Sequence, residues 1–299
     1  MKSYQKILRR LISHPSCALE IIRKITNRQS SCCLKCGVIR KPQVHHTDKR
    51  GVITYFCIEC KKTYSELYGT VFFRSKIPIS KWCIAIIEWS ISTGSISAAE
   101  LGRRLDIKHE SAWRMLMSIR KRIAQNLDSS QLKDLVEADE AWFGRKQNQD
   151  IVVGFVERQK RKLRLQQIPN VKEITLYPLV EQYIEKGSYF FTDSRISYAA
   201  ASIFYKHKTT NHSAGEFARG GFVHSNTIEQ IWGDIKGIIR TIHHGISKKY
   251  RHLYLAQYIF KYENLHSSNL FYNTLCQLLH GSLNTLGKIF QGFGLRDAA

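Results

Sequence analysis

Leu135 to Gly144 reads LVEADEAWFG, a short apolar run with three acids set into it. In a chain with 46 Lys+Arg against 24 Asp+Glu, a strand carrying Glu137, Asp139 and Glu140 concentrates scarce negative charge in one place. Adjacent carboxylates repel, so a cation is expected to hold them, and a divalent metal is the obvious candidate. Taken alone, the stretch also reads as a half-exposed strand with solvated acids. Its neighbours in the sequence decide between the two.

Downstream, Ile151 to Arg158 and Lys162 to Ile168 form an expected hairpin around Gln159-Lys160-Arg161, giving three consecutive antiparallel strands. A helix is expected from about Thr175 to Lys186, with Pro178 in its first turn and Gly187 as C-cap. Tyr189-Phe190-Phe191-Thr192 then reads as a buried strand ending at Asp193, and an acid at the C-terminal end of a central strand is where α/β folds place chemistry. Further on, Ile228, Ile231, Trp232 and Ile235 share one face of a helix that also carries Glu229 and Lys236. Those two lie seven residues apart, about two turns, so they project from nearly the same side, as a metal-and-phosphate pair or as an ordinary surface pair. Asp139, Asp193 and Glu229 thus come from three elements in the order of a ribonuclease-H-like domain. Three such carboxylates can hold two divalent ions roughly 4 Å apart, the arrangement used in phosphodiester chemistry.

Upstream, Cys33 and Cys36 are followed after twenty residues by Cys57 and Cys60. Two C-x2-C knuckles at this separation suit a tetrahedral structural zinc, with four thiolates and no open position for catalysis. Cys32, His45 and His46 are rival ligands that preserve the two-knuckle symmetry less well. Basic residues around the knuckles, among them Lys35, Arg40, Lys61 and Lys62, are consistent with nucleic-acid or protein contact. Next comes an apolar helix from Ser80 to about Gly94, with Trp82, Ile86 and Trp89 inward. The capping box Ser97-Ala98-Ala99-Glu100 opens a second helix to Leu105, and a third starts at about His109 after a short turn. This is helix-turn-helix order, with Ser111, Arg114 and Arg120 as candidate DNA contacts on the third helix. A plain three-helix bundle gives the same pattern. Tyr4 to Ile25 read as two short helices broken near His14-Pro15, and Leu275, Leu279, Leu283, Leu286 and Phe290 as a helical face in the tail.

The net charge of +22 exceeds what solubility needs and points to a polyanion, DNA or RNA before membrane. No apolar run approaches the roughly 20 residues of a membrane span, and Arg9 and Arg10 interrupt the N-terminal apolar stretch where a signal peptide would need continuity. Eight cysteines without a secretory signal indicate a reducing compartment, so a cytoplasmic, nucleoid-associated protein with no membrane partner is expected.

The ordered motifs resemble those of DDE transposases of bacterial insertion sequences that carry an N-terminal zinc ribbon and are related to Merlin elements. The motifs are the two knuckles, GTVFFRSKIPISKW from Gly69 to Trp82, VEADEAWFG from Val136 to Gly144, FTDS from Phe191 to Ser194, NHS from Asn211 to Ser213, and HSNTIEQIWGDIK from His224 followed by HHGISKKY. Together they span about Cys33 to Asn264. The resemblance implies Asp139, Asp193 and Glu229 as the catalytic acids, with Asn226 a rival or neighbour of the third. It implies that Lys236 contacts the DNA end. It further implies two Mg²⁺ or Mn²⁺ ions, cleavage at terminal inverted repeats followed by attack of the freed 3′-hydroxyl on target DNA, and action as a homodimer or higher multimer on double-stranded DNA.

The expected architecture is a multidomain α+β and α/β chain. It comprises N-terminal helices over residues 1–30, a zinc ribbon over 31–76 and a helix-turn-helix-like domain over 77–127. A ribonuclease-H-like catalytic domain with a mixed five-stranded sheet follows over 132–264, and a helical tail over 265–299. Two other functions fit parts of the sequence: a zinc-ribbon, helix-turn-helix DNA-binding regulator or inactive transposase copy, and a ribonuclease-H-like nuclease without strand transfer.

Overall fold

The structure is a computed structural model that describes residues 2–26, 32–92, 94–144, 149–193, 196–210, 226–267 and 270–279. The chain divides into two compact units, one of residues 1–123 with 266–299 and the other of residues 124–265.

In the first unit, α1 (Lys2–Ser13) and α2 (Cys17–Thr26) are separated at His14-Pro15, as proline removes a helical donor. They precede a small antiparallel sheet of β1 (Gln43–Thr47), β2 (Ile53–Phe56) and β3 (Thr63–Ser65). Buried Glu66 ties the two parts: its carboxylate takes Arg23 Nε at 2.8 Å and Nη2 at 2.7 Å, and the backbone N–H of Ile53 at 2.7 Å. Three helices follow, α3 (Ile79–Ile91), α4 (Ala98–Leu105) and α5 (His109–Gln125). Ser97 Oγ accepts from the backbone N–H of Glu100 at 3.1 Å, the first half of the expected capping box. The Glu100 carboxylate, however, turns to Arg103 and Arg104. Helix α3 stops at Ser92, two residues short of Gly94, because Ser92 takes an extended conformation. The turn before α5 places Asp106 in the left-handed region (φ 48°).

Within this unit α9 (Leu270–Leu279) packs on α2 and α3, burying Phe271, Leu275 and Leu279 and setting Ser90 Oγ 3.3 Å from Thr274 Oγ1. The apolar face expected in the tail is therefore a packing element as far as Leu279. Leu283, Leu286 and Phe290 lie outside the described residues.

The second unit is built on a five-stranded mixed sheet. Strands β4 (Leu135–Phe143), β5 (Asp150–Glu157) and β6 (Lys162–Ile168) are antiparallel. On the other side of β4, β7 (Tyr189–Asp193) and β8 (Lys206–Thr210) run parallel to it, in the order β6-β5-β4-β7-β8. Val152, Val153, Phe155 and Val156 of β5 are all inaccessible, as expected of a strand covered on both faces. One face packs on α6 (Glu173–Tyr183) and the 3-10 segment Ile196–Ile203, through Val136, Ala138, Phe155, Phe190, Leu176 and Val180. The other packs on α7 (Asn226–Thr241) and α8 (Arg251–Glu263), through Phe143, Val152, Val156, Ile231, Trp232 and Ile259. Helix α6 starts at Glu173, earlier than expected, so Pro178 falls inside it. It ends at Ile184, leaving Gly187 (φ 86°) to the turn into β7.

Candidate functional site

Strand periodicity separates the three acids of β4, since successive side chains point to opposite faces of a sheet. Glu140 faces the α6 side, where it is buried and accepts from the Tyr198 hydroxyl. Glu137 faces the α7 side and is fully buried; one carboxylate oxygen meets Arg158 Nε and the other accepts the backbone N–H of Ile228 at 3.0 Å. The cation expected beside these acids is therefore, for Glu137, an arginine. Arg158 also lies over the Phe191 ring, 4.4 Å from its centroid. Asp139 shares the α7 face with Glu137 and is half-buried.

These contacts draw three elements together. Glu137 stands two residues before Asp139 on β4, Phe191 two before Asp193 on β7, and Ile228 one before Glu229 in the first turn of α7. Strands β4 and β7 pair with Glu137 opposite Phe191, and carrying that register forward two residues brings Asp193 to the row of Asp139. Beside that position Thr192 Oγ1 is 2.8 Å from His207 Nε2, and burial pushes this imidazole below its usual pKa. Glu229, Asn226 and Lys236 are exposed on α7. His224, Ser225 and the NHS motif lie outside the described residues.

Gly154 faces Asp139 across the β4–β5 pair, and α7 crosses directly above it. A Cβ there would sit 2.7 Å from Trp232 Cζ2 and 2.9 Å from Ile228 Cδ1, so the absent side chain lets the helix bearing Glu229 lie close to the sheet. Gly154→Ala is expected to destabilise the protein by about 1–3 kcal/mol through overpacking, read as a lower urea midpoint at unchanged slope. A parent-like midpoint would mean that α7 is not held tightly here. Removing the Glu137 carboxylate is costlier, since it deprives both Arg158 and the Ile228 N–H. Glu137→Ala is expected to lose about 3–5 kcal/mol in the same measurement, the range for breaking a buried pair from one side.

In the first unit the two cysteine knuckles repeat one geometry. Cys33 N–H donates to Val38 O and Cys57 N–H to Lys62 O, each at 3.0 Å. Each knuckle also turns at its fifth residue, Gly37 (φ 77°) and Lys61 (φ 54°). The sulfurs of Cys33, Cys36, Cys57 and Cys60 all lie within 4.8 Å of one another, with Cys33–Cys60 and Cys36–Cys57 both at 3.8 Å. A tetrahedron with bonds of about 2.3 Å has edges of about 3.8 Å, so the four thiols fit a metal with zinc's preferences. Burial opposes ionisation of the Cys33 thiol, but hydrogen bonds from the backbone N–H groups of Cys36 and Lys35 and from the Cys36 and Cys57 thiols bring it down to about 7. Cys32, His45 and His46 are outside the cluster.

Of the expected DNA contacts on α5, Arg114 is exposed and paired with Glu110, and Ser111 is half-buried. Arg120 has to be corrected: it is 1% exposed, with Nη1 3.7 Å from Met117 Sδ inside the helical core, where a DNA phosphate cannot reach it. Arg120 follows Leu116 by four residues and so shares the buried face of α5, whereas Arg114 lies about 120° around the helix from it.

The strand order, with three antiparallel strands followed by two parallel ones and helices on both faces, defines a ribonuclease-H-like domain. Residues 131–263 match the family model of the ISXO2-like transposase domain. Among solved structures, the catalytic core domain of BIV integrase is similar at 15% identity and a TM-score of 0.30, over 42% of this chain and 81% of that one. The simian T-cell lymphotropic virus intasome, in complex with PP2A regulatory subunit B56 gamma, is similar at 14% identity and a TM-score of 0.33, over 62% and 74%. The HTLV-2 integrase catalytic core domain in complex with magnesium matches at 12% and 0.27, over 51% and 86%. No curated protein matches the chain. Among the described residues, no helix is long and apolar enough to cross a membrane.

Proposed function

We propose that the protein is a DNA transposase that binds the ends of an insertion sequence and catalyses metal-dependent cleavage and strand transfer. The observation carrying this reading is the β4–β7 register, which pairs Glu137 with Phe191, each two residues before its aspartate, beside an α7 whose first turn, with Glu229, is fixed to β4 through Glu137. Asp139, Asp193 and Glu229 would hold two Mg²⁺ or Mn²⁺ ions, which when bound activate the attacking oxygen and stabilise the leaving one. In the first step water forms a bond to phosphorus and the 3′-oxygen leaves. In the second that 3′-hydroxyl attacks a target phosphodiester, so one P–O bond forms as another breaks. Lys236 and Asn226, exposed on α7, would hold the phosphates of the DNA end. Cys33, Cys36, Cys57 and Cys60 would hold one structural zinc. Ser111 and Arg114 would contact duplex DNA, and the active species is a dimer or higher multimer on paired ends.

The test is incubation of the full chain with its element's end DNA and Mg²⁺ or Mn²⁺. Nicked and joined products support the proposal. Cutting without joining would identify a nuclease, and tight binding without cutting under either metal a regulator or inactive copy.

A further inference from the structure

The HHGISKKY segment and the start of α8 have no part in the chemistry above, yet they border a cleft of about 450 Å³ at the end of the catalytic sheet. Gln149, Asp150, Gln167, Lys248, Lys249 and His252 supply its polar wall. Asp150 is the one acid there, and it is committed: Oδ2 takes Arg251 Nε at 2.7 Å and Oδ1 lies 2.9 Å from Lys248 Nζ. Two cations thus offset one buried carboxylate. Lys249 and His252 are exposed and form no salt bridge among the described residues. Lys249 Nζ instead lies 5.4 Å from the centroid of the Tyr250 ring. The cleft therefore carries uncompensated positive charge at rest.

Its position relative to the acids follows from register. Asp139 pairs with Gly154 and Phe143 with Asp150, so the cleft lies four residues further along β4 than Asp139, about 13 Å at roughly 3.3 Å per residue. A cation marks the path between them. Exposed Lys236 of α7 stands there, with Nζ 5.9 Å from the centroid of the Phe143 ring. A solvated crevice does not require exposed Lys236, Lys248 and Lys249 along one line from the acids, whereas a polyanion laid along the sheet edge does.

We infer that this cleft is a phosphate site, bounded by Lys249 and His252, that takes a backbone phosphate of the bound DNA about four nucleotides from the reacting bond, at about 3.4 Å rise per nucleotide. The inference rests on the transposase reading for the location of the reacting bond, but not for the binding itself.

The test uses the full chain with Lys249→Gln and His252→Gln together, which spares Lys248 and Arg251 and so leaves Asp150 held. Affinity for a duplex is measured without divalent metal over a range of salt. The expected result is about a tenfold loss near 0.1 M salt, with the slope of log K against log [salt] shallower by about one. Lys186→Gln, the same loss of one formal charge at an exposed position beyond the end of α6, should leave the slope at the parent value. Equal slopes for the cleft variant and the parent would overturn the site. So would binding of inorganic phosphate in the cleft with DNA affinity unchanged in the variant, which would assign the site to a free anion. On end DNA, a methylphosphonate about four nucleotides from the cut should weaken the parent and cost the variant nothing more; penalties that simply add would overturn the position. Because binding is read without cutting, a parent that never cleaves DNA would defeat the transposase reading and leave the salt comparison intact.

Discussion

Asp193→Asn is expected to abolish metal-dependent nicking and joining, by roughly a thousandfold or more, about 4 kcal/mol of barrier at 1.36 kcal/mol per decade. The substitution keeps volume and shape at the end of β7 while removing the charge that would bind a divalent ion. Strand β7 pairs with β4 and β8 through its backbone, and Phe190 and Phe191 are buried, so the strand is held by groups the substitution leaves in place. DNA affinity in the absence of metal should therefore stay within a factor of about two to three, since the phosphate contacts come from cations. The measurement is single-turnover cleavage of end DNA, with Mg²⁺ varied for parent and variant. A variant that cuts at more than a tenth of the parent rate would remove Asp193 from the catalytic set. Loss of cutting accompanied by loss of thermal stability would mean a structural acid instead, and Asp139→Asn, placed in the same row, would then be the decisive comparison.

How far the sequence foretold this site depends on which residues report on their neighbours. The cysteine knuckles were legible because two short turns with fixed spacing determine their own geometry, and the structure brings the four expected sulfurs together. The three antiparallel strands and β7 were legible too, from alternation, apolar runs and the position of turns. Strand β8 was not located: KHKTT lacks an apolar alternation because it lies at the sheet edge, where pairing to β7 and not burial defines it. Glu137 could be seen as an acid but not as the residue that joins α7 to β4. Its partners Arg158 and Ile228 lie 21 and 91 residues away, and a long-range hydrogen bond leaves no local mark in sequence. Gly154 likewise looked like any glycine in an apolar strand until Trp232 was found against it. The charge of Arg120 points to DNA, but its place four residues after Leu116 puts it on the buried face of α5.

Cys57→Ser is expected to lower bound zinc from one per chain toward none and to unfold the ribbon. The energetics favour so large an effect. Apart from Cys33 and Cys57, the enclosed residues of this core are Tyr55 and Tyr64, and a sheet of strands five, four and three residues long buries too little apolar surface to be stable alone. Metal binding in such modules is worth about 10–16 kcal/mol and appears directly as folding free energy. Removing one of four thiolates weakens the metal and leaves three sulfurs crowded within 4.8 Å with no ion to share. Amide hydrogen exchange should show lost protection in β1, β2 and β3, while β4 to β6, in the other compact unit, retain theirs. Cys32→Ser is the internal control: it adjoins Cys33 but stands outside the cluster, contributing only its carbonyl to the Tyr64 hydroxyl at 3.4 Å, so zinc content should remain at one. If Cys57→Ser kept its zinc and its protection, or if Cys32→Ser lost both, the metal would be held by a different set of ligands. A chelator series on the parent, followed by the same exchange measurement, would then show whether those three strands fold without any ion at all.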